Sequence, residues 1–344
     1  FHGQISYQIQ PSSLEADRDT DSASDFDEEK DWIVGSFSGP LIKDKLFFYV
    51  SYYRPTVTRD NRSNAYGEVP DYKSERDEYF GKLTWAPTEN LLFDASYRSS
   101  DRKVTGESVG QFEAATAAEG SETGLEILIL EGSWIINDRS NAYFRYTDYE
   151  NTNFGRPDTV LNARPSLGES LDLNNLDQMG KFLVPSLREG DDEWNAWAQP
   201  LIDRYGYIEN GVPQGGGIVG AATQFDQNDF FRESFEIGYD ISLDWGSTRH
   251  DLHIGYHQEE IKEYLLRSSN GWGLIEAFGG DELTGDGQPI YFQTEFYQTS
   301  LGTTDIAPLD SRGQSTNIEI NDTITWGDWI FNLGVMISED KLYG

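Results

Sequence analysis

A strict two-residue alternation is the feature that most constrains this chain. Residues 235–245 read FEIGYDISLDW. Phe235, Ile237, Tyr239, Ile241, Leu243 and Trp245 take every second place, with Glu236, Gly238, Asp240, Ser242 and Asp244 between them. Successive side chains of a strand point to opposite faces, so the segment predicts a strand that is apolar on one side and acidic on the other. The same grammar recurs at Gln4–Gln10, Ile33–Phe37, Leu46–Tyr53, Tyr79–Trp85, Leu91–Arg98, Leu128–Trp134, Ala142–Tyr146, Leu252–His257, Asn317–Trp326 and Trp329–Ile337. That predicts about eleven strands.

The connections alternate as well. Short turns are expected at 40–45, 86–90, 137–140, 246–249 and 327–328. Long loops are expected at about 11–31, 54–75, 101–124, 151–230 and 267–313. A soluble sandwich mixes loop lengths at both ends, whereas an outer-membrane barrel has short turns at one end and long loops at the other. Trp85, Trp245, Trp326 and Trp329 flank the short turns, as an interfacial aromatic girdle would, and Tyr97, Tyr146 and Tyr264 lie nearer the long loops. The fold class expected is all-β: an antiparallel transmembrane β-barrel with long extracellular loops. The apolar residues of 235–245 then face lipid and the acidic ones a wet interior. Bacterial single-chain barrels use even strand numbers, so about eleven strands point to part of a larger barrel and to an excerpt of a longer protein.

Composition excludes several classes. The net charge is −34, so nucleic acid is not an expected partner, because phosphate binding needs a basic face. With no cysteine there are neither disulfides nor thiolate metal sites. Aromatic residues reach 14%, which fits half-buried strands better than disorder. No apolar run is long enough for a spanning helix, a test that spanning strands escape.

The stretch SFSGPLIKDKLFFYVSYY, residues 36–53, resembles a signature of TonB-dependent outer-membrane receptors, in particular the Oar-like group. That pattern reads Gly-Gly-Pro-Ile/Leu-Ile-Lys-Asp-Lys-Leu-Phe-Phe-Phe. Here Ser38 replaces the first glycine and Tyr49 the last phenylalanine, and FHG at 1–3 is similar to the family's early barrel strand. The match covers about the first 54 residues. The resemblance implies a 22-stranded barrel of which residues 1–344 are a part. The N-terminal plug, the TonB-engaging segment and the C-terminal strands would lie outside this chain. It also implies a bacterial outer-membrane location and energised uptake of a scarce or large solute: siderophore, cobalamin, glycan or peptide. Partners would be outer-membrane lipid and lipopolysaccharide, the TonB complex through the missing N-terminal part, and the extracellular solute.

Four candidate constellations stand out. In DRDTDSASDFDE, Asp17, Asp19, Asp21, Asp25 and Glu28 occupy the first, third, fifth, ninth and twelfth places of an EF-hand-like calcium loop, though Ser22 stands where the sharp turn needs glycine. A weak calcium site is the functional expectation, a solvated acidic loop the structural one. His250, His253 and His257 cannot share one ion, because His253 and His257 lie ~13 Å apart along a strand and His250 points to the other face. GVPQGGGIVGAA at 211–222 lacks the ending of a phosphate loop and reads as flexible. The long loop 151–230 carries Trp194, Trp197, Ala198, Leu201, Ile202 and Tyr205 at helical spacing, with Asp191 or Asp192 as caps and Pro200 as a kink or boundary. It reads as a self-packed loop, or as a substrate-contacting lid with Trp194 and Trp197 as contacts. No catalytic arrangement emerges, so an enzyme is not expected, and calcium is the sole cofactor considered. The acidic loops disfavour anionic cargo unless divalent cations bridge it, and such bridging could also link them to lipopolysaccharide phosphates. Two other readings are a soluble acidic β-sandwich adhesin or glycan-binding module, and a passive porin.

Overall fold

A computed structural model describes residues 1–14, 27–60, 62–299 and 306–344. Eleven strands form one sheet: β1 His2–Gln10, β2 Asp27–Ile42, β3 Leu46–Asp60, β4 Tyr72–Thr88, β5 Leu91–Glu107, β6 Glu119–Asn137, β7 Ser140–Pro157, β8 Gln224–Trp245, β9 Thr248–Ser269, β10 Leu309–Trp326 and β11 Trp329–Tyr343. Each pairs antiparallel with its neighbours in chain order, an up-and-down meander without crossovers.

The short turns are as short as the alternation suggests or shorter. β8 and β9 are joined by Gly246 and Ser247, and β10 and β11 by Gly327 and Asp328. Gly246 and Gly327 have φ of 65° and 58°, the left-handed backbone such two-residue hairpins require. At the other end the strands run past the lipid-facing band, because the ladder continues wherever backbone groups can pair. β8 and β9 each reach 22 residues, against the roughly ten a tilted strand needs to cross a bilayer. The connections there shrink to 61–71, 108–118, 158–223 and 270–308.

The register lays like residues side by side. One row runs Leu46, Trp85, Phe93, Gly132, Phe144, Ile237, Tyr256, Ile318 and Ile337, apolar or glycine on nine consecutive strands. A side chain at Gly132 would collide with the rings of Phe144 and Phe93. The adjacent row, on the opposite face, runs Thr84, Asp94, Glu131, Arg145, Glu236, His257, Asn317 and Ser338. Its members bond to one another: the Ser338 hydroxyl donates to Asn317 Oδ1 at 2.8 Å, and Arg145 Nε lies 3.3 Å from Glu131. The apolar row begins at Leu46, the first residue after a short turn, and ends at Ile337, eight residues past the first residue of β11. That drift is the stagger of tilted strands.

The wall has no core of its own among the described residues. Phe235, Ile237, Leu243, Trp245, Leu333 and Val335 are exposed on the apolar face. Trp85, Trp134, Trp245, Trp326 and Trp329 are exposed beside the short turns. Toward the opposite end, the Tyr97 and Tyr146 hydroxyls donate to Glu126 and Glu233, each at 2.9 Å, where the apolar band gives way to carboxylates. An apolar face this wide, edged by aromatic rings at both ends, is built for lipid. A sandwich would bury it against a second sheet, and the small second sheet of this structure does not do so. The chain is an antiparallel wall of membrane-barrel type.

Candidate solute-contacting cap

The buried core sits in the long loops. Leu176, Met179, Phe182, Val184, Trp194, Ala198, Ile202, Tyr205, Val219 and Ile275 form one cluster. A four-stranded sheet supports it, in the order Ile218–Val219, Lys181–Leu183, Leu274–Leu283, Pro289–Glu295. Against it packs the helix α1, Asp192–Tyr205. The β5–β6 loop joins this sheet: Ala114 N–H donates to the Ile218 carbonyl and Ile218 N–H to that of Phe112, both at 2.8 Å. The described long loops between β5 and β10 therefore build one cap rather than separate excursions.

The helix expected from spacing is present, and its buried stripe is Trp194, Ala198, Ile202 and Tyr205, spaced four, four and three residues apart. Asp191 is the N-cap, accepting from Trp194 N–H at 3.0 Å. Pro200 neither ends nor delimits the helix. It lies exposed opposite the buried stripe, and so does Ala196, whose carbonyl loses its helical partner on the solvent side.

The two candidate tryptophans are placed differently. Trp194 is buried, its indole N–H donates to the Ser186 carbonyl at 2.8 Å, and the Arg188 guanidinium lies 3.4 Å over its ring. Trp197 is half-buried against Trp194, Tyr291 and Phe292. The glycine-rich stretch is ordered, contrary to the flexible loop expected from its composition. Val212–Gln214 pairs in a hairpin and Ile218–Val219 joins the cap sheet. A Cβ at Gly215, Gly217 or Gly220 would collide with Pro185, with the Tyr66 ring or with Gly180. These glycines serve close approach of backbone and rings rather than mobility.

Two side chains staple the cap, and the sequence reading missed both. Asn270, fully buried, accepts from Leu161 N–H at 2.8 Å and donates to the carbonyls of Thr159 at 2.8 Å and Ala222 at 3.0 Å. Tyr66, from the β3–β4 loop, donates to the Tyr205 carbonyl at 3.0 Å, and burial pushes its phenol up to about 12. Asn-Gly at 270–271 signals a turn, but the distant carbonyls it serves leave no local trace. Near the start of β6, Lys181 of the cap sheet pairs with Glu113 of the β5–β6 loop at 3.1 Å. Nearby Glu119 is held above the ordinary carboxyl range, chiefly by burial and against the pull of Lys181.

Asp17, Asp19, Asp21 and Asp25 lie outside the described residues. Glu28 is described: it sits on β2, buried, and pairs with Lys30 and Arg59. Burial alone would raise its carboxyl, but the bonds to Lys30 and Arg59 outweigh that and lower it. The histidines divide as their spacing requires. His250 Nδ1 lies 2.7 Å from Asp322 on the apolar face, and His253 sits between Asp240 at 2.7 Å and Glu319 at 3.4 Å on the polar face. No cluster of three or more metal-ligating side chains occurs among the described residues.

No protein-family model and no curated protein matches the sequence. Solved structures do match. The outer membrane transporter YddB from Escherichia coli aligns at a TM-score of 0.55 and 12% identity, over 98% of this chain and 39% of that one. BauA, the ferric preacinetobactin receptor from Acinetobacter baumannii, aligns at a TM-score of 0.47 and 10% identity, over 99% of this chain and 41% of that one. The chain thus spans about two fifths of the length of the structures it matches. It has the fold of part of the wall of an outer-membrane transporter barrel, with the described long loops from β3 to β10 gathered into a folded cap.

Proposed function

We propose that the chain is part of the barrel of a TonB-dependent outer-membrane receptor of the Oar-like group, one that binds a scarce or large extracellular solute and passes it inward by energised uptake. The observation that carries this reading is the apolar row continuous over nine strands, set against a polar row on the opposite face and topped by a cap built from several loops. The likeness to the YddB wall supports the outer-membrane location, and the segment 36–53 supports the TonB-dependent group. Passive porins lack that segment, so a requirement for TonB separates the two readings.

In this reading the apolar face meets outer-membrane lipid and lipopolysaccharide, the polar face lines the lumen, and the TonB complex acts through segments outside this chain. The cap is the solute-contacting lid, with Trp197 better placed for contact than the buried Trp194. The loop Asp17–Glu28 remains a proposed weak calcium site. Calorimetry showing no heat with calcium, or heat that survives Asp19→Ala, would remove it. The function is tested in cells by density fractionation and by solute uptake with and without TonB. Recovery of the protein in the soluble fraction, or uptake indifferent to TonB and the proton-motive force, overturns the proposal.

A further inference from the structure

Beside the helix, the cap presents aromatic surface that its core does not consume. Tyr291 is 50% exposed, and its ring centroid lies 6.5 Å from that of the half-buried Trp197. Both rings are backed by a glycine bulge in the strand Leu274–Leu283. Gly279, at φ 62°, lies so close to Trp194 and Trp197 that a Cβ there would stand 3.0 Å or less from their rings, and one on Gly280 would touch Tyr291 at 3.4 Å. The bulge packs against both rings from one side. At its edge Asp281 and Arg188 form an exposed ion pair, which Asp191 extends.

We propose that Trp197 and Tyr291 form a shelf for a neutral sugar ring, with Asp281 and Arg188 bonding the hydroxyls at its edge. This rests on the reading of the cap as a solute-binding lid and names the class of solute. A pyranose has a C–H face that stacks on aromatic rings and a rim of hydroxyls that both donate and accept. Asp281 supplies acceptors and Arg188 donors, and each is about half exposed, so spare bonding capacity faces solvent. Other occupants fit less well. An apolar partner would strip water from the ion pair without replacing its hydrogen bonds. An anionic chelate would approach Asp191, Asp281 and Glu193, the last one helical turn before Trp197, in a chain of net charge −34.

The test is calorimetry on the full chain in detergent with cellotetraose, maltotetraose and chitotetraose, and with ferric citrate as the anionic comparison. Saturable binding of at least one tetrasaccharide is expected. Tyr291→Ala should weaken it roughly tenfold, the loss of one stacked ring. Asp281→Asn, which leaves the rings untouched, should weaken it less, with hydrogen exchange in the cap unchanged in both variants. Binding of none of these sugars, sugar binding indifferent to Tyr291→Ala, or ferric citrate binding that Tyr291→Ala abolishes overturns the shelf. Fractionation of the same cells is scored separately. Sugar failure in a protein that sediments with the outer membrane sinks the shelf alone, whereas a soluble protein sinks the receptor reading.

Discussion

Asn270→Ala isolates what holds the cap together. The substitution removes one acceptor and two donors in a single step. Leu161 and Ala222 are buried, so the Leu161 N–H and the Ala222 carbonyl lose partners that water cannot replace. The Thr159 carbonyl belongs to a half-buried residue and can be rehydrated. Leaving a buried polar group unsatisfied costs about 1–3 kcal/mol, so two such groups cost roughly 2–6 kcal/mol. At tenfold per 1.4 kcal/mol, the opening equilibrium of the cap shifts by about 30-fold to about 10⁴-fold. Hydrogen exchange read by mass spectrometry on the detergent-solubilised protein resolves this by segment. Amides of 176–184, 216–223 and 270–277 should lose protection, while β4 to β7 keep theirs. Asn270→Asp should behave similarly, because it keeps the bond from Leu161 N–H but sets a carboxylate against two carbonyls. Unchanged cap protection, or a loss spread equally over the wall strands, would refute the stapling account.

Other outcomes follow from particular residues. Gly279→Ala forces a side chain into left-handed backbone and against two indoles, and should destabilise the cap by about 2 kcal/mol or more, read as a lower melting midpoint of tryptophan fluorescence. Ile237→Arg places a cation in the apolar row and should cost about 2–4 kcal/mol in folding into bilayers by denaturant titration, whereas Asp240→Asn on the polar face should cost far less. Glu28 titrates below its ordinary 4.5, so the stability it adds at the outer end of β2 is present above that pH and is lost as the pH falls through the lowered value. Arg59→Met should flatten that acid limb in segment-resolved exchange. Glu119 has the opposite sign: the stability of its protonated form is complete below 4.5 and disappears as the pH rises through its elevated value. Glu119→Gln should therefore make the cap junction more protected at pH 7, and no gain there would refute the burial account.

The wall was legible because its information is local. Alternation in FEIGYDISLDW fixes which residues share a face, and the turn at Gly246 fixes the register with the next strand. Strand ends were less legible: beyond the apolar band the ladder is held by backbone, which any polar sequence can supply, so 54–60 and 224–230 read as loop while forming strand. The helix was legible from its four-residue stripe, but Pro200 misleads because its cost depends on which face meets water. Asn270, Tyr66 and Tyr291 were not legible. Tyr66 meets Tyr205 across 139 residues, and nothing near either position marks the pairing.

That separation bears on the order of assembly. The pieces of the cap come from loops hung on strands β3 through β10, and its core joins Phe182 to Ile275 only when β8 and β9 have brought their loops together. Closing contacts over such sequence distances is slow compared with forming hairpins of neighbouring strands. The cap should therefore be the last part of this chain to mature. A reporter placed on Trp194 would time the completion of the wall beneath it.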